Sequence, residues 1–190
     1  MWALVEDNSI VKIINHPKGM VIGDTRYSKN IFSFRWSNAE REAIGLYEIV
    51  FDNSNKKNES YYNNTNQSFD FADGVATASY GTATPIELDD RIDEEDNVIE
   101  GLKTKHKKSI KKEASGLLEP TDWYNHKALD DETFTIPANI KTYRANIRST
   151  SNTMETAIDN VSDVDELAAL YVYNDDDPPT RPLGEFPEAV

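Results

Sequence analysis

The chain of 190 residues contains no cysteine. A disulfide, a thiol nucleophile and a cysteine-ligated metal are therefore excluded, which fits assembly in a reducing compartment. Long apolar runs are also missing. No stretch approaches the roughly 18 apolar residues that a membrane span needs. The opening "MWALVEDNSIVKII" places an acidic pair where a signal peptide would carry its apolar centre, so no such leader is expected. The Asn-x-Ser/Thr matches at Asn58, Asn63 and Asn66 then read as chance matches in an Asn-rich loop. Glycine is sparse, at eight residues scattered over turn positions, and no phosphate-cradling loop is present. Positive charge is in deficit as well. Against 34 acidic residues stand 20 basic ones, for a net charge of -14. Such a chain repels nucleic acid in bulk and fits a soluble protein or one that meets a basic partner.

The charge that is present falls into three regimes. Residues 1–90 carry 8 basic and 13 acidic groups, residues 91–118 carry 7 and 6, and residues 119–190 carry 5 and 15. The first regime reads as a small β-rich domain. "WALV" and "SIVKII" flank the turn signal Glu6-Asp7-Asn8, "GMVIGDTRYS" offers a further strand, and Asp73-Gly74 marks a hairpin turn. One short helix is expected after Ser37, which has Glu40 three residues on as a capping box and Gly45 as a C-terminal stop. Ala39, Ala43 and Ile44 supply its apolar face.

Residues 91–118 read as one connecting helix, with Val98, Ile99, Leu102, Ile110, Ala114 and Leu117 near one face and His106 on that stripe. Acidic residues at its start and lysines toward its end match the helix dipole. A seam this narrow on so charged a helix predicts self-association or partner binding through Leu102 and Ile110. Residues 119–170 read as a helical unit. Pro137 stands at N1 of a helix on which Ile140, Tyr143 and Ile147 share a face, with Arg144 and Arg148 beside it. Ser162 can cap a last helix carrying Val164, Leu167 and Leu170. Trp123 and Tyr124 are expected to pack against the Tyr143 face, and an arginine to pair with Asp122 or stack on a ring. Residues 171–190 combine an acidic run with prolines. They read as an extended arm, flexible alone, whose anchors Tyr171, Val172, Tyr173, Leu183 and Phe186 reach a neighbouring subunit. The whole is an α+β chain.

No catalytic or metal site emerges from the pattern. His16, His106 and His126 lack the local pairing of zinc ligands, and no cofactor is implied. "DNSNKK" and "NDDD" lack the glycine and terminal glutamate of a calcium loop. The lysines at 103, 105, 107, 108, 111 and 112 form the one basic patch, read as a solvated face paired with the protein's own acids.

Residues 117–170 resemble the C-terminal part of tailed-bacteriophage tail-fibre assembly and tail-associated proteins. The resemblance is carried by Leu117, Leu118, Thr121, Asp122 and Trp123, then by Tyr143 and Arg144 with Arg148 four residues on. The strand-rich opening, Trp36-Ser37 and "AIGLYEI" are similar to small phage accessory proteins. The resemblance implies a non-enzymatic structural or assembly protein, made in the host bacterial cytoplasm and acting in the virion. Its partners would be other phage structural proteins of the tail fibre, tail or baseplate. The β-rich region is longer than a minimal chaperone needs, so residence in the particle and a transient assembly role both stay open. So do a connector or decoration role elsewhere on the virion and, from another class, a hydrolase using carboxylates of the β domain.

Overall fold

A computed structural model describes residues 1–65 and 67–189. Asn66, one of the three Asn-x-Ser/Thr matches, and Val190, the last residue of the arm, lie outside the described residues. The fold is α+β, in two compact units, Met1–Thr84 and Pro85–Val190.

In the first unit, β1 (Trp2–Glu6) and β2 (Ser9–Ile14) form the expected hairpin. Its turn residues Asp7 and Asn8 have φ of 48° and 59°. A two-residue turn that matches strand twist requires positive φ at both positions, and short polar side chains tolerate it. The segment after it is a hairpin of its own, β3 (Met20–Ile22) and β4 (Thr25–Tyr27). A 3-10 turn (Lys29–Phe32) leads to α1 (Asn38–Glu42) and β5 (Leu46–Asp52). Then come β6 (Tyr62–Asn63), β7 (Ser68–Ala72) and β8 (Val75–Ser79), with the two-residue β9 (Thr84–Pro85) at the boundary. The main sheet has the order β2-β1-β5-β8-β7, parallel only between β5 and β8. Its outer strands β2 and β7 touch, so the sheet curls toward closure. One face buries Ala3, Val5, Ile49, Ala76 and Ala78 beneath Tyr47, Phe69 and Phe71. The other buries Leu4, Ile14 and Leu46 against Met20 and Ile31. Because β1 is covered on both faces, its apolar residues run consecutively instead of alternating.

The capping box forms as expected: Glu40 N–H donates to Ser37 Oγ at 3.2 Å, and Ser37 N–H to the Glu40 carboxylate at 2.8 Å. The expected apolar face does not. Ala39 and Ala43 are exposed, and α1 buries Arg41 instead. Its guanidinium donates to Ile31 O, Ser33 O and Asn38 Oδ1, each at 2.8 Å. Three acceptors satisfy the buried cation, and in return it ties α1 to the preceding 3-10 turn. Gly45, at φ +78°, accepts from Val5 N–H at 2.8 Å, and a Cβ there would sit 2.6 Å from Val5 O. Gly45→Ala is therefore expected to destabilise the first unit by more than about 1 kcal/mol, read as a lower melting temperature.

The second unit corrects the helix expected over 91–118. Residues 91–99 form a short hairpin, β10 (Arg91–Ile92) and β11 (Val98–Ile99), and the helix α2 runs only over Leu102–Leu118. The Asp93 carboxylate accepts from the N–H of Glu95 and Asn97, and Asp96 takes φ 62°, so this acidic run closes a turn instead of starting a helix. Val98 and Ile99 are exposed, off any helical stripe. The domain boundary moves from 90 to 84 because the strand-free segment after it bonds to the start of α2. Leu102 N–H donates to Glu87 O, Lys103 N–H to Leu88 O, and Gly101 N–H to the Asp90 carboxylate. A Cβ at Gly101 would collide with Leu88 O and the Asp89 carbonyl, both backbone.

After a 3-10 turn (Glu119–Thr121) come α3 (Asp122–Asp130), α4 (Ala138–Asp159) and α5 (Val164–Ala169). Pro137 is the N-cap of α4, one position before the N1 expected. Ile140, Tyr143, Ile147, Ser151, Met154 and Ile158 repeat at helical spacing and are buried. Against α4 packs α2, burying Leu102, Ile110 and Ala114. The seam read as an oligomer interface is thus covered by the chain's own helix. Lys103, Lys107, Lys108 and Lys111 pair with Asp89, Asp159, Glu100 and Glu155, so the basic patch does face the protein's own acids. On α5 the cap is Asp163, whose carboxylate accepts from Glu166 N–H at 2.8 Å, and Ser162 instead donates to Glu166.

Residues 171–189 hold no helix or strand, yet they are tied to this unit. Leu183 is buried and donates its N–H to Leu170 O at 3.0 Å, and Phe186 packs on the Ala114–Tyr143–Ile147 cluster. Asn174 closes the acidic loop through Thr180, accepting from its N–H at 2.8 Å. Arg181 lies over the rings of Tyr171 and Tyr173 and pairs with Glu185 at 2.8 Å. The expected free arm is therefore replaced by a docked one. Its apolar ends find the nearest helices, which a tethered segment meets at high effective concentration.

His106 Nδ1 lies 2.7 Å from the Tyr171 hydroxyl and anchors the start of this segment. Burial disfavours the imidazolium and holds the His106 pKa below its ordinary value. The unfolded chain then takes up the proton first, so this stability is present above about pH 6.5 and declines as pH falls below it. Melting of the second unit is expected to drop between about pH 7 and pH 5.5. The drop should be smaller in His106→Gln. An equal drop in the variant would assign the effect to other groups.

Candidate docking surface

Helix α3 buries none of its residues fully, although its sequence "DWYNHKALD" carries Trp, Tyr, Ala and Leu. Trp123 is 51% exposed and Leu129 81% exposed. The Trp123 ring stacks on Tyr124, with centroids 3.9 Å apart, and Phe134 extends the group at 6.3 Å from Tyr124. Phe134 is placed by the loop that ends α3. Thr133 N–H and Oγ1 donate to the Asp131 carboxylate at 3.0 and 2.6 Å, and Phe134 N–H donates to Asp131 O. These bonds, the Thr133 hydroxyl first, hold the Asp131 pKa below its usual value. Lys127 Nζ lies 4.3 Å from the centre of the Phe134 ring.

A polar clamp lies behind this face. The Arg144 guanidinium, almost fully buried, donates to Leu118 O at 3.0 Å, Thr121 Oγ1 at 2.5 Å and Asp122 Oδ1 at 2.7 Å. Thr121 Oγ1 donates in turn to Leu118 O at 2.8 Å, and the Tyr143 hydroxyl donates to Leu117 O at 3.3 Å. Arg148 is exposed and reaches the Arg144 carbonyl at 3.3 Å. One arginine thus fixes the end of α2, the 3-10 turn and the first residue of α3 against α4. Asp122 turns toward Arg144. At 3.6 residues per turn its neighbour Trp123 is rotated by about 100° from it, toward solvent.

The residues expected to act together divide into three groups. Leu102, Ile110 and Tyr143 are interior, and Phe186 packs on the cluster that holds Tyr143. Arg144 is the clamp. Trp123 is at the surface, where Tyr173 also remains half exposed and Tyr171 is partly covered by His106 and Arg181. The expected packing of Trp123 on the Tyr143 face is overturned: Tyr143 meets Ala114, Ile147, Leu117, Leu118 and Phe186. The expected pairing of an arginine with Asp122 is present. Tyr124, Lys127, Leu129 and Phe134 also belong to this surface, beyond the interaction residues expected from the sequence. The Asp-x-Thr step at 131–133, a side-chain-capped turn just after an aromatic helix, is the sequence signal that would have added Phe134.

Among the described residues no group of three or more His, Asp or Glu is placed to hold a metal ion. Among the described residues no helix is long and apolar enough to cross a membrane. Comparison with protein-family models, with curated proteins and with solved structures gave no match.

Proposed function

We propose that the protein is a non-enzymatic component of the tail or tail-fibre machinery of a tailed bacteriophage, acting by protein–protein docking through α3. The observation that carries this reading is the aromatic face of α3, left uncovered on a helix whose base is locked by Arg144. Exposed, pre-ordered aromatics are the residues that dominate protein interfaces when they become buried. The residues that carry the resemblance to tail-fibre assembly and tail-associated proteins support it further. Leu118, Thr121, Asp122 and Arg144 form the clamp, Leu117 accepts from Tyr143, and Trp123 is what the clamp presents.

The test is mass spectrometry of purified particles and assembly intermediates from phage carrying the wild-type gene or a deletion. Association of the chain with tail or tail-fibre components, and particles defective in those components after deletion, is the expected result. Particles of unchanged composition and infectivity after deletion would remove the reading.

A further inference from the structure

Resting on that docking reading, we propose that the α3 surface seats an extended, positively charged segment of a different protein. An arginine or lysine of that segment would lie against the exposed face of the Trp123–Tyr124 stack. The ring faces of Trp and Tyr attract cations, Trp most strongly. The same surface already makes one such contact within the chain, Lys127 over Phe134 at 4.3 Å. The rim has the complementary sign. Residues 119–136 carry Glu119, Asp122, Asp130, Asp131 and Glu132 against Lys127 alone. Asp122 is engaged by Arg144, while Asp130, at the end of α3, and Glu132, in the loop leading to Phe134, stand exposed.

A second copy of this chain fits the surface poorly. A two-fold contact through α3 would bring two acidic rims together. Of the lysines that α2 of a second copy could offer, Lys103, Lys107, Lys108 and Lys111 are already paired with the chain's own carboxylates. Nucleic acid is repelled by the same rim. A cationic segment meets both demands at once, its charge answering the rim and its planar or alkyl groups covering the rings.

The experiment uses the full chain and labelled synthetic peptides with four arginines spaced by Gly-Ser, alongside matched peptides with Gln or Glu at the arginine positions. Anisotropy titrations should show binding of the Arg peptide and none of the Gln or Glu peptides. Trp123→Ala should weaken it about tenfold or more, the mark of an interface anchor. Asp130→Asn with Glu132→Gln should weaken it several-fold, and Asp175→Asn with Asp177→Asn on the C-terminal acidic loop should leave it unchanged. Wild-type melting of each variant establishes that it is folded. No Arg-peptide binding, equal binding by Trp123→Ala, or an equal loss in the Asp175/Asp177 variant would overturn the proposal. A Trp123-dependent dimer in sedimentation would overturn it in favour of a second copy. If the peptides fail while Trp123→Ala still blocks assembly, the docking reading stands and only the cationic partner falls.

Discussion

Arg144→Met is expected to destabilise the second unit by about 2–4 kcal/mol, because the buried guanidinium makes charge-assisted bonds that no apolar side chain replaces. The substitution keeps most of the aliphatic stem, so the loss isolates the polar head. Leu118 O loses one of its donors, Thr121 Oγ1 loses the cation, and Asp122 loses its partner. The Asp122 carboxylate is half exposed, so water recovers part of its loss, which keeps the figure below that for a fully buried pair. Arg144→Lys should recover only a fraction, since one ammonium nitrogen cannot occupy both the Nη1 and Nη2 positions from which the three acceptors are reached. Denaturant unfolding gives the magnitude, and hydrogen exchange should show faster opening of the α3 and α4 amides. Unchanged melting in Arg144→Met would mean that the clamp is incidental to the fold.

Trp123→Ala should behave in the opposite way. Its ring is half exposed and contacts mainly Tyr124, so its removal is expected to cost stability about 1 kcal/mol or less, the scale of an exposed aromatic pair. Incorporation into particles, or binding to the docked partner, should weaken by about 2 kcal/mol or more, roughly 30-fold. The two readouts separate the roles: Arg144 shapes the unit, and Trp123 is what the unit displays. A large drop in melting with unchanged assembly would return Trp123 to the interior and remove the docking surface.

Local chemistry was legible from the residues. The Asp7-Asn8 and Asp73-Gly74 turns, the Ser37–Glu40 capping box and the Ile140–Tyr143–Ile147 face each depend on neighbours within a few positions, and each is present. Helix 91–118 failed at its start for a reason also local, a carboxylate that bonds two backbone N–H groups and closes a turn before the first helical residue. The seam on α2 failed for a different reason. Its apolar spacing marks Leu102, Ile110 and Ala114, and all three are buried, but spacing specifies only that a face must be covered. It does not say whether the cover comes from α4 of the same chain or from another molecule.

By itself, then, the sequence determined an α+β chain, its principal turns and the buried face of α4, and it left an arginine to pair with Asp122 or to stack on a ring. Only the tertiary structure decided that α4 covers α2, that the C-terminal segment folds back through Leu183 and Phe186, that Arg41 is buried, and that Trp123 faces outward. The physical reason is the range of the interactions. Caps and turns are settled between residues already adjacent along the chain. The burial of an amphipathic face is settled by whichever apolar surface the fold brings nearest, and the direction of Trp123 is settled by Arg144, 22 positions away, drawing Asp122 to the other side of the helix.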